Sequence, residues 1–575
     1  MEGPPALLGP RGTGVDPLGE GFLIGGGEGA IGRHLAELDT AQEFGKPGFE
    51  GGFAGGKVYA SGPGFGVVAV GAAAREEGGR VDGEVGGEGQ ASGCKEKEKT
   101  HANVPDYMWF HVRMRIGLLL ITPLLYAEVG ARVDAHAERL GAVSRQIWEL
   151  AEVGYKETKS STLLQEELRR AGFTVQAGVA GMPTAFVATY GNGSPVIGLM
   201  AEYDALPGLS QEDVAKRAPR VAGAAGHGCG HNLLGTGSVL AAIALKEEGF
   251  QGTLKVFGTP AEEGGAGKVY MIHAGLFADV DAMLAWHPGD SNSASLGTMN
   301  ANISAKFRFR GVASHAAMAP EEGRSALDAV MLFGHAVDLL REHVPAEARM
   351  HYVVTQGGAA ANIVPDVGEV SITVRHASMK VLDGIWKRIE KAAEGSALAT
   401  ETRVEQQLIG SVYNLLPNDA LAGMYDQNLR RFGGLRYSAE EQDFAARLRK
   451  TLFTEPELAL GSEAAIQPVQ TGAGAASTDA SDVSWVVPMS QLNVATFVPG
   501  LSPHTWQSTA CAGMSIGRKG MVLAAKVLAQ TAMDIYSDPK LLGSIRESFD
   551  KRRAGFSYQS RVPKNAAPPL NYRDR

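Results

Sequence analysis

The chain has 575 residues, of which 44% are hydrophobic and 20% are charged, and its formal net charge at pH 7 is −9. This length exceeds what one compact core holds, so we expect two or more domains, and the negative charge argues against nucleic acid or an anionic membrane as the main partner. The three cysteines, Cys94, Cys229 and Cys511, are too few and too widely spaced for a disulfide framework. No apolar run reaches the roughly 18 residues that a membrane-spanning helix requires.

Residues 1–113 differ in composition from the rest of the chain. The first hundred residues contain 28 of the 75 glycines, in stretches such as GFLIGGGEGA and GEVGGEGQASG. A segment with so few clustered apolar side chains cannot offset the entropy lost on ordering, so disorder is predicted. An artefactual extension from a misplaced start codon would explain the same composition.

The next segment, residues 114–127, is short and apolar. Arg115 precedes an apolar run that ends at Ala127, and this pattern resembles a secretory leader if translation begins at Met114. In that case we expect a periplasmic or secreted protein, and otherwise a cytoplasmic one. The alternative is a short buried helix, because Pro123 and the brevity of the run argue against a membrane span.

From residue 128 onward, helix and strand patterns alternate. Helical spacing marks AERLGAVSRQIWELAEVG and SSTLLQEELRRAG, and the short apolar runs PVIGLMAE, TLKVFG and DAMLAW are typical of buried strands. This alternation predicts an α/β fold, with a mainly parallel sheet and helices on both of its faces. We expect the catalytic domain to comprise residues 128–300 and 412–545, followed by a C-terminal tail over residues 546–575.

Residues 301–411 carry a different pattern. We predict strand, helix, strand, strand, helix and strand in NISAKFRFR, SALDAVMLFGHAVDLLREH, HYVVTQGG, VGEVSITVR, KVLDGIWKRIEKAAEGSA and TRVEQQLIG. This β-α-β-β-α-β order is typical of a ferredoxin-like α+β layer. We interpret it as a second domain inserted into the first, because QLNVATFV resumes the alternating pattern at residues 491–498.

Side chains that can bind metal or carry protons lie at the ends of the strands predicted for the large sheet. In chain order they are Glu202, Asp204, Cys229, His231, Glu262, Glu263, His287 and His504. Each alone is more often structural than functional; Glu202, for example, suits a metal ligand, an orienting group or a turn acid. Because ligands of such sheets bind beyond the carboxyl ends of the strands, together these residues predict one site.

The residue types at these strand ends also predict the cofactor. A cysteine and histidines together with a carboxylate favour zinc or manganese over magnesium or calcium. One cysteine, three histidines and a glutamate exceed the four ligands of a closed structural zinc site, so two ions with open positions are predicted. Of the adjacent Glu262 and Glu263, one suits metal binding and the other proton transfer.

Six motifs resemble those of the aminoacylase/carboxypeptidase-type dinuclear metallopeptidases and occur in the same order. They are EYDALPGLSQ, GHGCGHNLLGTG, GTPAEEGGAGK, SHAAMAPEEGRSALDA, ANIVPD and ASTDASDVSW…PHTWQ. The resemblance runs from about residue 128 to the C-terminus and implies a zinc-exopeptidase-like fold. It also implies an amidohydrolase that cleaves the amide of an N-acyl amino acid.

The resemblance implies roles for individual residues of the large domain. The implied ligands of two divalent ions, zinc or manganese, are Cys229, His231, Glu263, His287 and His504. Glu262 is implied as the general base, and Asp204 as the acid beside the metals. Many members of the family have a histidine where this chain has Glu202, but the branch with the Cys-Gly-His motif commonly lacks it too. His227 has no implied ligand role and is expected to support the loop or a neighbouring ligand.

The resemblance also implies roles for residues of the insertion. His315 matches a histidine that such enzymes present to the neighbouring subunit's active site as an oxyanion donor, so the insertion is expected to be a dimerisation or lid domain. Asn362 and Arg375 match substrate-binding positions, and an arginine can form paired hydrogen bonds with a substrate carboxylate. The implied partners are a small acyl-amino acid or dipeptide and a second chain, in a homodimer or in a heterodimer with a related chain.

Two alternative functions remain open from the sequence. One is a dipeptidase that acts on peptides with a basic or unusual amine side. The other is a non-catalytic, ligand-binding subunit of a hetero-oligomer. The second alternative predicts a broken ligand set, whereas this chain has all five candidate ligands and the candidate base.

Overall fold

A computed structural model describes residues 129–574 of the chain. The glycine-rich extension predicted over residues 1–113 and the leader predicted at residues 114–127 lie outside the described residues. Within the described part of the chain, no helix combines the length and the apolar character needed to cross a membrane.

The described residues form two main sheets with helices packed against them. The strands are β1 (Thr174–Ala177), β2 (Phe186–Asn192), β3 (Val196–Ala201), β4 (Gly252–Gly258), β5 (Ala282–Gly289), β6 (Ser293–Ala294), β7 (Thr298–Met299), β8 (Ala301–Arg310), β9 (Arg349–Gln356), β10 (Val367–His376), β11 (Arg403–Val412), β12 (Ala473–Gly474) and β13 (Met489–Ala495). The helices are α1 (129–150), α2 (Thr158–Arg170), α3 (His231–Glu248), α4 (Gly267–His273), α5 (Ala326–Leu340), α6 (Met379–Ala399), α7 (Asp419–Phe432), α8 (Ala439–Arg449), α9 (Ala480–Val483), α10 (Trp506–Gly513), α11 (Ser515–Ser537) and α12 (Leu541–Arg553).

The larger sheet has seven strands in the order β1-β2-β4-β3-β5-β13-β6. Its four central strands, β4, β3, β5 and β13, are parallel. The outer strands β1, β2 and β6 pair antiparallel to their neighbours. The prediction of a mainly parallel sheet therefore applies only to the centre, and the sheet as a whole is mixed.

The strands β1 and β2 account for most of this departure. Their sequences, TVQA and FVATYGN, lack the continuous apolar run by which the central strands were recognised. β1 is exposed over most of its length, as an edge strand that covers little of the core would be. Antiparallel neighbours need no crossover helix between them, so this edge forms from short connections.

Both faces of the larger sheet are covered. Leu199 of β3 packs into an apolar cluster with α3 and α11, whereas the next residue, Met200, packs into a second cluster on the side of α4. Helix α3 approaches the sheet closely at Gly235, where a side-chain carbon would lie 2.4 Å from the carbonyl oxygen of Glu202. This close approach brings the start of α3 beside the carboxyl end of β3.

Residues 301–412 form a separate antiparallel sheet of four strands in the order β11-β8-β10-β9. Helices α5 and α6 cover one face, where Phe307 packs against Phe333 and Trp386 with ring centroids 5.1 and 6.0 Å apart. On the other face, Lys306 and Arg308 pair with Glu369 of β10. The chain order in this unit is β-α-β-β-α-β.

Candidate active site

The candidate site lies at the carboxyl ends of the central parallel strands. Asp204 follows β3, and Glu262 and Glu263 follow β4. His287 lies near the end of β5, and His504 lies between β13 and α10. This is the edge at which α/β sheets bind their ligands, so the chain converges here as the strand pattern predicts.

Cys229 and His231 reach the same place from the start of α3. Between them, Gly230 has a φ of 75°, in the left-handed region that glycine adopts without steric cost. His231 is the first residue of α3, and Sγ of Cys229 lies 3.6 Å from Nε2 of His287. The Cys-Gly-His sequence thus turns sharply enough for both side chains to share one space.

The structure brings the five predicted metal ligands together in two overlapping clusters. One cluster comprises Cys229, His231 and His287, and the other comprises Cys229, Glu263 and His504. Within each cluster, the potential ligand atoms lie within 4.8 Å of one another. Nε2 of His504 lies 3.2 Å from Oε1 of Glu263. Two clusters that share a thiolate match the needs of two neighbouring ions.

Unpartnered buried atoms test whether these residues fit metal ions. Nε2 of His231, Oε1 of Glu263 and Oε2 of Glu202 are buried and have no hydrogen-bond partner. Buried polar atoms in proteins normally have one, so these three atoms indicate a missing ligand. Imidazole, thiolate and carboxylate groups together suit ions such as zinc. The residues present therefore fit a pair of divalent ions.

Asp204 connects the two clusters. One of its carboxylate oxygens lies 2.9 Å from Nδ1 of His231, and the other accepts a hydrogen bond of 2.9 Å from the backbone N–H of Glu263. Burial alone would raise the pKa of Asp204, but the hydrogen bond and the charge of His231 lower it. A carboxylate that holds a ligating histidine by its other ring nitrogen fixes the orientation of the ring.

Glu262 is suited to proton transfer. Its side chain is half-buried beside the metal-ligand candidates, and its carboxylate belongs to a third cluster with Glu202 and His231. Burial and the negative charges of Glu202 and Glu263 raise its pKa well above the ordinary value. A carboxyl group with a raised pKa can hold a proton between two steps of a reaction near neutral pH.

A buried lysine supports this side of the site. Nζ of Lys268 is fully buried and lies 2.6 Å from Oδ1 of Asp479 and 2.8 Å from Oε1 of Glu202. Its pKa is raised because these carboxylates outweigh the effect of burial. The sequence analysis did not identify Lys268, although a lysine next to the apolar run VYMI was a signal that it faces a buried charge. Asp479, expected to order the loop that faces the site, also accepts the backbone N–H of Lys268 at 3.0 Å.

Strained backbone surrounds the candidate ligands. His504 has a φ of 61° and Ala261, next to Glu262, a φ of 59°, in a region that residues with a side chain rarely adopt. The N–H of His504 donates to the carbonyl oxygen of Gly228 at 2.9 Å, which also accepts the Ser508 hydroxyl at 2.7 Å. These bonds hold His504 in its unfavourable conformation, a pattern typical of functional sites.

His227 lies outside the clusters. It is fully buried, and its Nε2 lies 3.1 Å from the carbonyl oxygen of Ile147 in α1. Burial lowers its pKa to about 3. The residue therefore connects the HGCGHN loop to α1 as a neutral ring.

The buried His227 predicts a pH dependence of folding. Its folded pKa of about 3 lies below the value of about 6.5 for an unfolded histidine, so its stabilising effect is complete above pH ~6.5 and is lost as the pH falls towards 3. Wild type should lose up to about 1.4 kcal/mol per pH unit more than His227→Gln across this range. Urea unfolding of both proteins between pH 7 and pH 4 measures the difference, and parallel pH curves would contradict it.

An open cleft of about 810 Å³ adjoins His504. Its wall includes the apolar side chains of Leu209, Phe453 and Trp506 and the cationic side chain of Arg217. Phe453 is fully exposed to solvent in the single chain. The cleft therefore offers aromatic surface and one positive charge beside a candidate metal ligand.

The three site residues predicted in the insertion lie elsewhere. His315 and Asn362 are exposed neighbours in loops of the four-stranded unit, where the N–H of Ala316 donates to the carbonyl oxygen of Asn362 at 3.1 Å. Arg375 lies on β10. Among the described residues of one chain, no hydrogen bond or ion pair connects these three to the metal-ligand candidates.

The α/β fold, the paired metal-ligand clusters and the adjacent carboxylate define a hydrolase of amide bonds of the metallopeptidase type. The chain belongs to peptidase family M20/M25/M40, whose sequence model matches residues 198–532. This confirms the family resemblance and the enzyme class predicted from the motifs.

Curated relatives cover most of the chain. It is 38% identical over 478 residues to one of the subunits of p-aminobenzoyl-glutamate hydrolase from Escherichia coli (strain K12), covering 77% of this chain and 98% of that protein. It is 33% identical over 444 residues to Xaa-Arg dipeptidase of Mus musculus, covering 74% of this chain and 92% of that protein.

Solved structures share the fold. An aminobenzoyl-glutamate utilization protein from Klebsiella pneumoniae matches with a TM-score of 0.51 at 20% identity, over 71% of this chain and 98% of that one. A dinuclear metal-binding peptidase of the M20 family from Bacillus subtilis matches with a TM-score of 0.51 at 17% identity, over 70% of this chain and 99% of that one.

Proposed function

We propose that this chain hydrolyses the amide of an N-acyl amino acid of the aminobenzoyl-glutamate type. The observation that carries the proposal is Glu262, a half-buried carboxylate with a raised pKa beside two clusters of metal ligands that share Cys229. The 38% identity to the Escherichia coli p-aminobenzoyl-glutamate hydrolase chain supports this substrate class. The cleft beside His504 offers Phe453 and Trp506 as surface for an aromatic acyl group.

The metal centre is part of the proposal. Two divalent ions, zinc or manganese, would be held by Cys229, His231, Glu263, His287 and His504, and they would supply positive charge that polarises the scissile carbonyl. Asp204 would keep the His231 ring and the Glu263 backbone in place through its two hydrogen bonds. The name of the Bacillus subtilis relative, a dinuclear metal-binding peptidase, supports two ions without indicating which metal.

Glu262 would carry the proton. Its carboxylate removes a proton from the attacking water, and the same group then donates that proton to the nitrogen of the departing amino acid. The raised pKa suits this second step, because a carboxyl group of ordinary acidity would lose the proton to solvent. Lys268 keeps Glu202 and Asp479 beside the site and so preserves the negative field that raises the pKa of Glu262.

We further propose that the insertion, residues 301–411, is a dimerisation or lid domain between the catalytic segments 128–300 and 412–545. The edge strand β9 is exposed along most of its length, and the exposed apolar side chains Met331, Leu332 and Leu339 lie on α5. An unpaired strand edge beside apolar helix surface favours pairing with another chain.

A dimer would also complete the site. His315, exposed in one chain, would donate to the oxyanion in the neighbouring protomer, and Asn362 and Arg375 would bind the substrate, the arginine through the carboxylate of its amino acid. The partner is either a second copy or a related chain. The chain is also 28% identical over 368 residues to another of the named subunits of the Escherichia coli hydrolase, and this second relative supports a related chain as the partner.

Mixing two inactive variants tests the shared site. Glu262→Gln and His315→Ala homodimers should each have low activity, because every site lacks one of the two groups. After co-refolding at equal amounts, half of the dimers should be mixed and contain one intact site, so about a quarter of wild-type activity should return. Mixing Glu262→Gln with Glu263→Gln is the control and should restore nothing. If His315→Ala alone retains full activity, or mixing restores none, the shared site is wrong.

A dipeptidase acting on peptides with a basic residue is the second candidate function. It is favoured by the 33% identity to Xaa-Arg dipeptidase. Release of amino acid from aminobenzoyl-glutamate and from dipeptides ending in arginine, measured side by side, separates the two candidates. We expect the higher kcat/KM on aminobenzoyl-glutamate, and a preference for the dipeptides would establish the alternative. No turnover of either substrate by a metal-loaded protein would favour a non-catalytic, ligand-binding role.

A further inference from the structure

The chain beyond α12 crosses from the four-stranded unit to the candidate active site. We call residues 554–574 the C-terminal strap. Its first part packs on aromatic side chains, with the rings of Phe556 and Trp485 5.0 Å apart. Nε of Arg561 then donates to Asp383 of α6 at 2.9 Å. The strap lies wholly outside residues 198–532, which the family model matches.

The end of the strap contacts the loop that carries Glu262 and Glu263. The Tyr572 hydroxyl donates to the carbonyl oxygen of Glu263 at 3.4 Å, and Nη2 of Arg573 donates to the same oxygen. Among the described residues, only these two strap side chains donate to that carbonyl. The Glu263 backbone is therefore held on both sides, since its N–H donates to Asp204.

Neighbouring residues are shaped around the strap. The rings of Tyr572 and Tyr155 meet edge to face with centroids 5.7 Å apart, and the Tyr155 hydroxyl donates to the carbonyl oxygen of Gly265 at 2.7 Å. A side-chain carbon at Gly154 would lie 2.4 Å from the Tyr572 hydroxyl. The strap thus fits into the same wall of the site that the Glu262–Glu263 loop forms.

The loop itself needs such support. Ala261 has a φ of 59° and Gly264 a φ of 110°, so the loop leaves β4 through two unfavourable or glycine-dependent conformations. An unsupported loop of this kind would relax and move both carboxylates. Since Glu263 is a proposed ligand and Glu262 the proposed base, a small displacement would weaken metal binding and proton transfer together.

We infer that the C-terminal strap is part of the active-site wall, and that Tyr572 and Arg573 are positioning residues that hold the carbonyl of Glu263. The inference rests on the metal centre of the proposed function. It assigns a role in metal affinity to residues remote in sequence from every ligand. Arg573 acts here through the loop and does not contact the substrate.

Metal affinity tests the inference without any measurement of turnover. Full-length wild type, Arg573→Gln and Tyr572→Phe are stripped of metal and titrated with zinc against a fluorescent chelator. Loss of a group that supports a ligand lowers metal affinity by about 10–100-fold, which we expect for Arg573→Gln. Arg573→Lys, which retains a donor, should recover part of the loss. Arg546→Gln is the matched control, because Arg546 is exposed on α12 and contacts only the ring of Phe549.

Hydrogen exchange in the metal-free proteins provides a second measurement. The N–H groups of Glu263 and Gly265 are bonded within the site, so their exchange should accelerate in Arg573→Gln and not in Arg546→Gln. Unchanged metal affinity and unchanged exchange in Arg573→Gln would overturn the inference. A raised KM with unchanged metal affinity would overturn it as well, because Arg573 would then bind substrate. If wild type binds no metal, the proposed function fails, while the exchange rates still decide whether the strap holds the loop.

Discussion

Replacing Glu262 by glutamine should lower kcat by about 10²–10⁴-fold while both metal ions stay bound. The substitution removes the group that accepts and returns the proton, and it leaves the five ligand candidates in place. Turnover of aminobenzoyl-glutamate and the metal content of the same preparation, measured by mass spectrometry, test the two parts of this expectation.

The neighbouring glutamate is the matched control for this prediction. Glu263→Gln changes an adjacent residue by the same atoms, but Glu263 belongs to a metal-ligand cluster, so this variant should lose bound metal as well as turnover. If Glu262→Gln remained fully active, the assignment of the base would be wrong. If the two variants lost metal equally, Glu262 would be a ligand rather than a proton carrier.

Replacing Lys268 by methionine should lower the free energy of unfolding by about 3–5 kcal/mol. The substitution leaves the fully buried carboxylates of Asp479 and Glu202 without the cation that lies 2.6 and 2.8 Å from them. Removing one partner of a buried ion pair is costly because the remaining charge stays buried and uncompensated. Urea unfolding followed by far-ultraviolet circular dichroism measures the loss.

Two further variants check the physical reason for this loss. Lys255→Met removes a lysine whose partner, Asp279, is 60% exposed, so it should cost at most about 1 kcal/mol. Adding Asp479→Asn to Lys268→Met should recover part of the stability, because one of the two uncompensated charges is then removed. A Lys268→Met protein as stable as Lys255→Met would contradict the buried ion-pair account.

The location of the site could be predicted from the sequence because its signals are local. Each of Asp204, Glu262, Glu263 and His287 lies within a few residues of an apolar run that forms a central strand, and parallel strands bring such positions to one edge. The Cys-Gly-His turn was equally visible, since its two ligand types are adjacent in the chain. The topology of the sheet needed no further information at its centre.

The parts that were missed depend on contacts between residues distant in sequence. The lysine at position 268 meets Asp479 across 211 residues, and Arg573 meets Glu263 across 310 residues. No spacing rule connects such pairs. The edge strand β1 was missed for a different reason, because TVQA is exposed and has no apolar face to signal a strand.

The position of the insertion relative to the site is a further case. Motif resemblance predicts that His315, Asn362 and Arg375 serve an active site, yet in one chain they make no hydrogen bond or ion pair, among the described residues, with the ligand candidates. Residues contributed by a second protomer carry the same sequence signal as residues of the chain's own site. The sequence therefore predicts their chemistry without their partner.

Metal reconstitution tests the central claim most directly. The full-length chain is stripped of metal, restored with zinc or manganese in steps, and assayed on aminobenzoyl-glutamate while bound metal is counted. The account predicts no turnover without metal, and turnover that rises to its maximum as two ions bind per chain. Hydrolysis that is unaffected by stripping, or two bound ions without hydrolysis of any amide tested, would contradict it.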